Sequence, residues 1–139
     1  MIGAHTIGQA RCVVFRNRLY NFDNTGVADP TLNAAYLAQL QTICPSSGGD
    51  DTTTPLDATT PIRFDNKYFT NLINAKGLLT SDQELFSSNA STTSIVQSYS
   101  QSSQAFFANF PKSMIAMGNV NPLTGTSGQV RANCRIINS

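Results

Sequence analysis

Apolar residues recur at helical spacing along most of this chain, and the alternation typical of strands is rare. Residues 5–20 are predicted to form a helix. Two neighbouring stripes run along it, one formed by Ile7, Ala10 and Val14 and the other by Gly8, Cys12, Phe15 and Leu19. A second predicted helix has its stripe at Leu32, Tyr36, Leu40 and Ile43 and stops at the helix-breaking sequence CPSSGG. The pattern predicts a mainly helical chain with little β structure.

Two short helices are predicted in the middle of the chain. Asp65 is a suitable N-cap for the first, and Gly77 is expected to end it. Ser81, with Glu84 three residues later, matches a capping box at the start of the second. Both predictions rest on the local chemistry of helix ends.

A longer helical pattern covers residues 94–117, with a break near 100–103. Its apolar stripe consists of Phe106, Phe110, Met114 and Met117. Pro111 lies within this stripe and is expected to kink the helix, because proline removes a backbone hydrogen bond. After Gly118 the sequence predicts an irregular tail.

The composition describes a lightly charged globular chain, predicted to be a single domain over residues 1–139. Charged residues make up 12% of the sequence and the formal net charge is +1, so charge favours neither a nucleic acid nor a membrane partner. The sequence has no apolar run long enough for a transmembrane helix. Polar residues within the first ten positions also argue against a signal peptide in this chain.

Three cysteines leave the redox state open. Either all three are reduced, or one pair is bridged and one thiol lacks a partner within the chain. The triplet Asn89-Ala90-Ser91 is a glycosylation sequon. Together with a disulfide it would favour an oxidising, secretory compartment.

His5 is the only histidine in the sequence. No second histidine or cysteine lies at ligand spacing on the predicted helix, which argues against a tetrahedral zinc site. A single imidazole suits haem, because haem supplies four ligands itself. The alternative is an ordinary structural or exposed histidine.

Acidic and hydroxyl side chains cluster near the end of a long predicted loop over residues 46–63. Asp57, Thr60 and Asp65 lie within nine residues, and such oxygen ligands suit a hard cation such as Ca²⁺. The alternative is a solvated turn followed by the Asp65 helix cap. The role of Asp82 also has two possible interpretations. It is either an acidic residue favoured at a helix start or a carboxylate that orients His5.

Several motifs, in order, resemble the plant secretory (class III) haem peroxidases. GAHTIGQARC, at the start of the chain, is similar to the proximal haem-ligand signature of that family. Four further patterns, in which a dot marks a position outside the match, fit the family as well: RLYNF.NTG..DPTLN..YL..L...CP at 18–45, FDNKYF.NL...KGLL.SDQELF at 64–86, FF..F..SM..MGN at 106–119 and PLTGT.GQ.R.NCR..N at 122–138. The resemblance covers essentially the whole chain and implies the proximal, C-terminal half of the peroxidase fold.

The resemblance implies specific roles for residues of this chain. His5 would be the proximal ligand of haem b, with Asp82 accepting its Nδ1–H. A calcium ion would be held by Thr6, Asp57, Thr60, the backbone carbonyl of Arg63, and Asp65. Cys12 and Cys44 would form a disulfide, Cys134 would pair with a cysteine outside this chain, and Asn89 would carry a glycan. The family location implied is extracellular or vacuolar.

The implied activity is H₂O₂-dependent one-electron oxidation of phenolic-type donors. The distal histidine and arginine of the family have no counterpart here, so any turnover by this chain alone is expected to be slow. Pro111 also departs from the family, which has a continuous helix there. An alternative is a non-catalytic, calcium-binding, disulfide-containing helical fragment that does not hold haem. A further alternative is self-association through a surface that the missing half would cover.

Overall fold

The structure is a computed structural model that describes residues 3–139. Its six α-helices are α1 (Cys12–Tyr20), α2 (Ala34–Ile43), α3 (Lys67–Ile73), α4 (Thr80–Ser87), α5 (Ala90–Gln101) and α6 (Ser103–Gly118). Two short strands, β1 (Gln9–Arg11) and β2 (Thr53–Pro55), form one antiparallel pair. The prediction of a mainly helical chain is confirmed. That residues 1–139 form a single domain stays a prediction.

The start of the chain differs from the predicted helix over residues 5–20. A short 3₁₀ turn, Ala4–Thr6, is followed by β1, and α1 begins only at Cys12. Gly8 has φ +107° and its carbonyl accepts from the Leu56 amide at 3.0 Å. The chain therefore turns into a strand that pairs with residues predicted to be loop. The stripe of Cys12, Phe15 and Leu19 is buried as expected, whereas Ile7 and Val14 of the other stripe are exposed.

Helix ends in the middle of the chain also differ from their predictions. The N-cap of α3 is Asn66 rather than Asp65. Asp65 lies one residue before this cap, and its carboxylate accepts a hydrogen bond from the Lys67 amide at 2.8 Å. This helix ends at Ile73, well before Gly77. A Cβ at Gly77 would lie 3.0 Å from the Gln83 amide, so this glycine permits a close approach rather than ending the helix.

Asp82, not the predicted pair of Ser81 and Glu84, caps α4. Its Oδ2 accepts from the amide of Leu79, the residue before the helix, at 3.2 Å. The long helical pattern breaks at Ser102, within the predicted interval, where the hydroxyl of Ser102 accepts from the Ala105 amide at 3.1 Å.

Helices α5 and α6 differ in their starting residues and in their packing from what the apolar periodicity predicted. Asn89 caps α5, so this helix starts at Ala90 rather than near residue 94. α6 continues through Pro111 to Gly118. Only Phe106 of its predicted stripe is fully buried, while Met114 and Met117 are 38% and 47% exposed.

Two apolar clusters form the interior. The first surrounds the Cys12–Cys44 disulfide and contains Phe15, Leu19, Leu32, Tyr36, Leu40, Leu56 and Leu78. The second is largely aromatic and contains Tyr68, Phe69, Leu72, Val96 and Phe106. Of the two possibilities that the cysteine count left open, the structure shows the bridged pair, with Cys134 free and exposed.

A buried ion pair between Arg18 and Asp29 was not predicted. Arg18 Nε donates to Asp29 Oδ2 at 2.7 Å, and both side chains are 1% exposed. The same guanidinium donates to the carbonyls of Gly77 and Leu78, which ties α1 to the segment that leads into α4. Burial alone raises the pKa of Asp29, but hydrogen bonds from Thr31 and Arg18 outweigh it and hold that pKa below its usual range.

Candidate functional site

His5 lies in the 3₁₀ turn at the start of the chain, against the aromatic cluster. Gly3, which precedes this turn, has φ +100°, a conformation that side chains rarely allow. A Cβ at Gly3 would come within 2.7 Å of both Phe106 and Phe69. The absent side chain thus lets the turn approach the two rings and fixes where the imidazole stands.

The two ring nitrogens of His5 have different surroundings. Nδ1 lies 2.7 Å from Oδ1 of Asp82, whose side chain is 4% exposed. An ionised carboxylate only accepts hydrogen bonds, so Nδ1 carries the proton. Within residues 3–139, Nε2 has no hydrogen-bond partner, and the side chain is 42% exposed. The arrangement leaves Nε2 on a partly exposed ring, without a partner among these residues.

Asp82 accepts two further hydrogen bonds. The Tyr68 hydroxyl donates to Oδ1 at 2.9 Å, and the Leu79 amide donates to Oδ2. Burial raises the pKa of Tyr68, and the Asp82 charge raises it further, so the hydroxyl stays a donor. Sequence reasoning missed this role because Tyr68 looks like a core residue. The available signal was a polar tip on an otherwise apolar helix face.

A small cleft lies beside the imidazole. It measures about 180 Å³ and is lined by Gly3, Ala4, His5, Tyr68, Ser81, Asp82 and Leu85. Pockets for organic ligands usually measure about 300 Å³ or more, so a large planar cofactor does not fit inside it. Such a cofactor would have to lie across the exposed side of the ring.

The second group of predicted residues is also brought together. Thr60 Oγ1 lies 3.0 Å from Asp65 Oδ1 and 3.3 Å from Asp57 Oδ2. The Thr6 hydroxyl donates to the Asp65 carbonyl at 2.6 Å, although the two residues are 59 positions apart. Four side chains from two distant segments thus converge, and Thr6 and Asp57 are fully buried among them.

Asp57 is held from several sides. Its Oδ1 accepts from the amides of Thr59 and Thr60 and from Asn71 Nδ2, at 2.8–3.1 Å. Arg63 extends its side chain outwards, with Nε 3.8 Å from Asp65 Oδ2. The side chains of this group offer only oxygen atoms, which would suit a hard cation. Among the described residues, no group of three or more acidic, histidine or cysteine side chains could hold a metal ion by itself, so a cation here would also need hydroxyl and carbonyl oxygens.

The two groups share one turn, because Thr6 directly follows His5. The Thr6 hydroxyl also accepts from the Asp65 amide at 3.3 Å, which makes its contact with that residue reciprocal. The oxygen cluster and the imidazole are therefore attached to neighbouring residues of one short turn.

The predicted glycosylation residue, Asn89, lies at the start of α5. Asn89 is exposed, and its Oδ1 accepts from the Ser91 amide at 2.8 Å, which leaves Nδ2 outward. Across residues 3–139, no helix is sufficiently long and apolar to span a membrane.

The sequence model of the peroxidase family matches residues 1–102 of this chain. The chain therefore belongs to the peroxidase family, a family of oxidoreductases. It is 58% identical over 134 residues to Peroxidase 15 of Ipomoea batatas, which covers 96% of the chain and 41% of that protein. It is 53% identical to Peroxidase 54 of Arabidopsis thaliana, over 98% of the chain and 38% of that protein.

A third relative is Peroxidase 49 of Arabidopsis thaliana, which is 52% identical over 137 residues. The alignment covers 99% of this chain and 41% of that protein. The chain thus spans about two-fifths of the length of the curated relatives that it matches. Haem, which the family implies, fits the donor set on one side: an imidazole whose Nε2 has no partner within residues 3–139, backed by a buried carboxylate.

Proposed function

We propose that this chain provides the proximal side of a haem peroxidase, in which Nε2 of His5 would bind the iron of haem b. One observation carries the proposal. The Nδ1–H of His5 is bound to a buried carboxylate while Nε2 has no partner among the described residues. Histidine ligands of metals typically donate their other nitrogen in this way, which fixes the ring and makes the ligand more basic.

Each residue has a defined task in this proposal. Bound haem would supply the redox chemistry by which H₂O₂ oxidises phenolic-type donors one electron at a time. Asp82 holds the proton of His5 at Nδ1 and increases the electron donation of the imidazole. Gly3 and the aromatic cluster hold the turn in place, and the small cleft leaves little room beside the ring.

The complete reaction is proposed for an assembled peroxidase rather than for this chain alone. General acid–base groups typically contribute factors of 10²–10⁴ to such proton transfers. The only histidine of the sequence is assigned to the iron, so this chain has none left for work on peroxide. Turnover by the chain itself is accordingly expected to be slow.

A haemin titration followed in the Soret region tests the proposal. The wild-type chain should give a saturable Soret change that His5→Ala abolishes. Asp82→Asn should retain a change with altered position or affinity, because the neutral amide accepts more weakly from Nδ1–H. Identical titrations for the wild type and His5→Ala would contradict the proposal.

We further propose that Ca²⁺ binds to Thr6, Asp57, Thr60 and Asp65, with the backbone carbonyl of Arg63 as another ligand. The supporting observation is the convergence of oxygen ligands from segments 59 positions apart. Binding to the folded state alone would stabilise it by about 2.7 kcal/mol at 100 times the Kd. This site also favours a second candidate function, a calcium-binding fragment without haem, since the cluster does not depend on the free side of His5.

Thermal melts in Ca²⁺ and in EDTA test this site. The wild type should melt at a higher temperature in Ca²⁺, and Asp65→Asn should lose most of that difference. Asp51→Asn is the matched control, because the Asp51 side chain is 86% exposed and pairs with the exposed Arg11. An EDTA-insensitive wild type would overturn the assignment. A calcium effect without a haemin site would favour the second candidate.

Secretion and glycosylation at Asn89 belong to the same proposal. The exposed Nδ2 of this helix cap is compatible with a glycan, because the capping bond uses Oδ1. The test uses the wild type and Asn89→Gln, both produced in a plant host. A glycosidase should reduce the mass of the wild type and leave the mass of Asn89→Gln unchanged.

A further inference from the structure

Two donors share one oxygen atom of Asp82. His5 Nδ1 lies 2.7 Å from Oδ1, and Tyr68 Oη lies 2.9 Å from the same atom. Tyr68 is 2% exposed and Asp82 is 3% exposed, so water competes little for this oxygen. Hydrogen bonds in such a low-dielectric interior polarise one another, and two donors divide the electron density of one acceptor.

The Asp82 carboxylate does not depend on Tyr68 for its position. Its Oδ2 accepts from the Leu79 amide at 3.2 Å, and its own amide donates to the Leu79 carbonyl at 3.1 Å. Both bonds belong to the first turn of α4. The Tyr68 hydroxyl is thus an additional donor on a carboxylate that the helix already orients.

The Tyr68 ring is anchored separately from its hydroxyl. It packs edge-on against Phe69 with ring centroids 5.3 Å apart, and edge-on towards His5 at 6.5 Å. Phenylalanine in its place keeps these contacts and removes only the oxygen atom. The effect of the hydroxyl can therefore be measured with the packing preserved.

We propose that Tyr68 is a positioning residue that moderates the His5–Asp82 hydrogen bond by sharing Oδ1. The inference rests on the proposed role of His5 as an iron ligand, and it assigns to Tyr68 the adjustment of how much electron density the imidazole donates. Loss of the hydroxyl leaves Oδ1 entirely to Nδ1–H. The His5 bond then strengthens, and the imidazole becomes more electron-rich.

The experiment uses the full chain without haem, labelled with ¹⁵N. The nitrogen shifts of the single histidine are read through its ring carbon protons in the wild type and in Tyr68→Phe. Tyr20→Phe is the matched control, because the Tyr20 hydroxyl donates to the Cys44 carbonyl at 2.8 Å, in a different part of the fold. Urea midpoints of all three proteins account for any general loss of stability.

The expected result is a downfield shift of Nδ1 in Tyr68→Phe, with the proton still on Nδ1, and wild-type shifts in Tyr20→Phe. An unchanged Nδ1 shift would overturn the inference. So would an upfield shift or a mixture of tautomers, since either would mean that Tyr68 merely holds the carboxylate in place. A Tyr20→Phe response equal to that of Tyr68→Phe would also overturn it.

The haemin titration separates this inference from the proposed function. The nitrogen shifts report on Tyr68 even where haemin does not bind. Where haemin does bind through His5, Tyr68→Phe should have a lower iron reduction potential than the wild type and Tyr20→Phe. A saturable haemin site with an unchanged potential and unchanged Nδ1 shift would leave the proposed function standing without this inference.

Discussion

The position of His5 depends on Gly3, a residue with no side chain. We predict that Gly3→Ala destabilises the fold and displaces the imidazole from Asp82. The left-handed backbone should cost about 1–2 kcal/mol, and overpacking against Phe69 and Phe106 should cost about 1–3 kcal/mol more. Urea denaturation measures the loss of stability, and the ¹⁵N shifts of His5 report the displacement of the imidazole.

Gly26→Ala is the control for that prediction. Gly26 also has a positive φ, +75°, but nothing lies within 4 Å of a Cβ built there. The Gly26→Ala variant should lose only the stability that depends on the left-handed backbone, and its His5 shifts should be unchanged. If the two variants lose equal amounts of unfolding free energy, the close approach of Gly3 to the aromatic rings does not contribute to stability.

A second prediction at the residue scale concerns the buried pair of Arg18 and Asp29. Asp29→Asn should lower the free energy of unfolding at neutral pH by about 3–5 kcal/mol, because Arg18 is left buried without its counter-charge. The folded state lowers the pKa of Asp29. Its contribution is therefore complete above the unfolded value of about 3.9 and is lost as the pH falls through the folded value.

Urea midpoints at several pH values check this second prediction. The difference between the wild type and Asp29→Asn should be constant from pH 7 to about pH 5 and should shrink at still lower pH. The exposed Asp51→Asn should follow the wild type throughout. A difference that grows on acidification would mean that Asp29 gains nothing from its ionised form.

At the scale of elements, periodicity was a good guide to helices and a poor one to residues 5–11. The stripe of Cys12, Phe15 and Leu19 was predictable because a helix buries one face. β1 was not, since three residues carry no readable alternation and pair with a segment more than forty positions away. Helix starts were misplaced where a tertiary contact decided them, as when Asp82 serves both the Leu79 amide and His5.

The candidate site was predictable from the sequence only in part. Family resemblance named His5 and Asp82, and the structure brings them into contact, yet no local pattern links residues 77 positions apart. Tyr68 escaped notice because its ring satisfies the core pattern and its hydroxyl finds a partner only in three dimensions. Arg18 was hidden in the same way, as a charged residue on the buried side of α1.

The Cys12–Cys44 bridge is the covalent link between α1 and the end of α2. Its partners are 32 positions apart. A loop of this length predicts that reduction lowers the free energy of unfolding by about 3–4 kcal/mol. Urea denaturation with and without reductant measures it, with Cys134→Ser as the background that removes thiol exchange. Unchanged midpoints on reduction would show that packing alone holds the two helices together.

At the scale of the whole molecule, exposed apolar side chains are concentrated towards the C-terminal end of the chain. Large apolar side chains are exposed along the C-terminal part of α6 and beyond it: Met114, Ile115, Met117, Val120 and Leu123. Five such residues lie within ten positions, and apolar side chains that are exposed together are a common basis of protein–protein association. We therefore predict that the chain self-associates through this segment as its concentration rises.

Sedimentation velocity over a wide concentration range checks this last prediction, with Ile115→Lys as the disrupting variant. Ile115 is 67% exposed, and lysine is a good helix former, so the variant should fold normally and sediment as a monomer. Val27→Lys places the same charge at a residue that is 61% exposed but far from α6 in sequence, and it should associate like the wild type. Because association buries apolar area, it should weaken on cooling. A wild type that stays monomeric at every concentration would show that these side chains are tolerated in water individually.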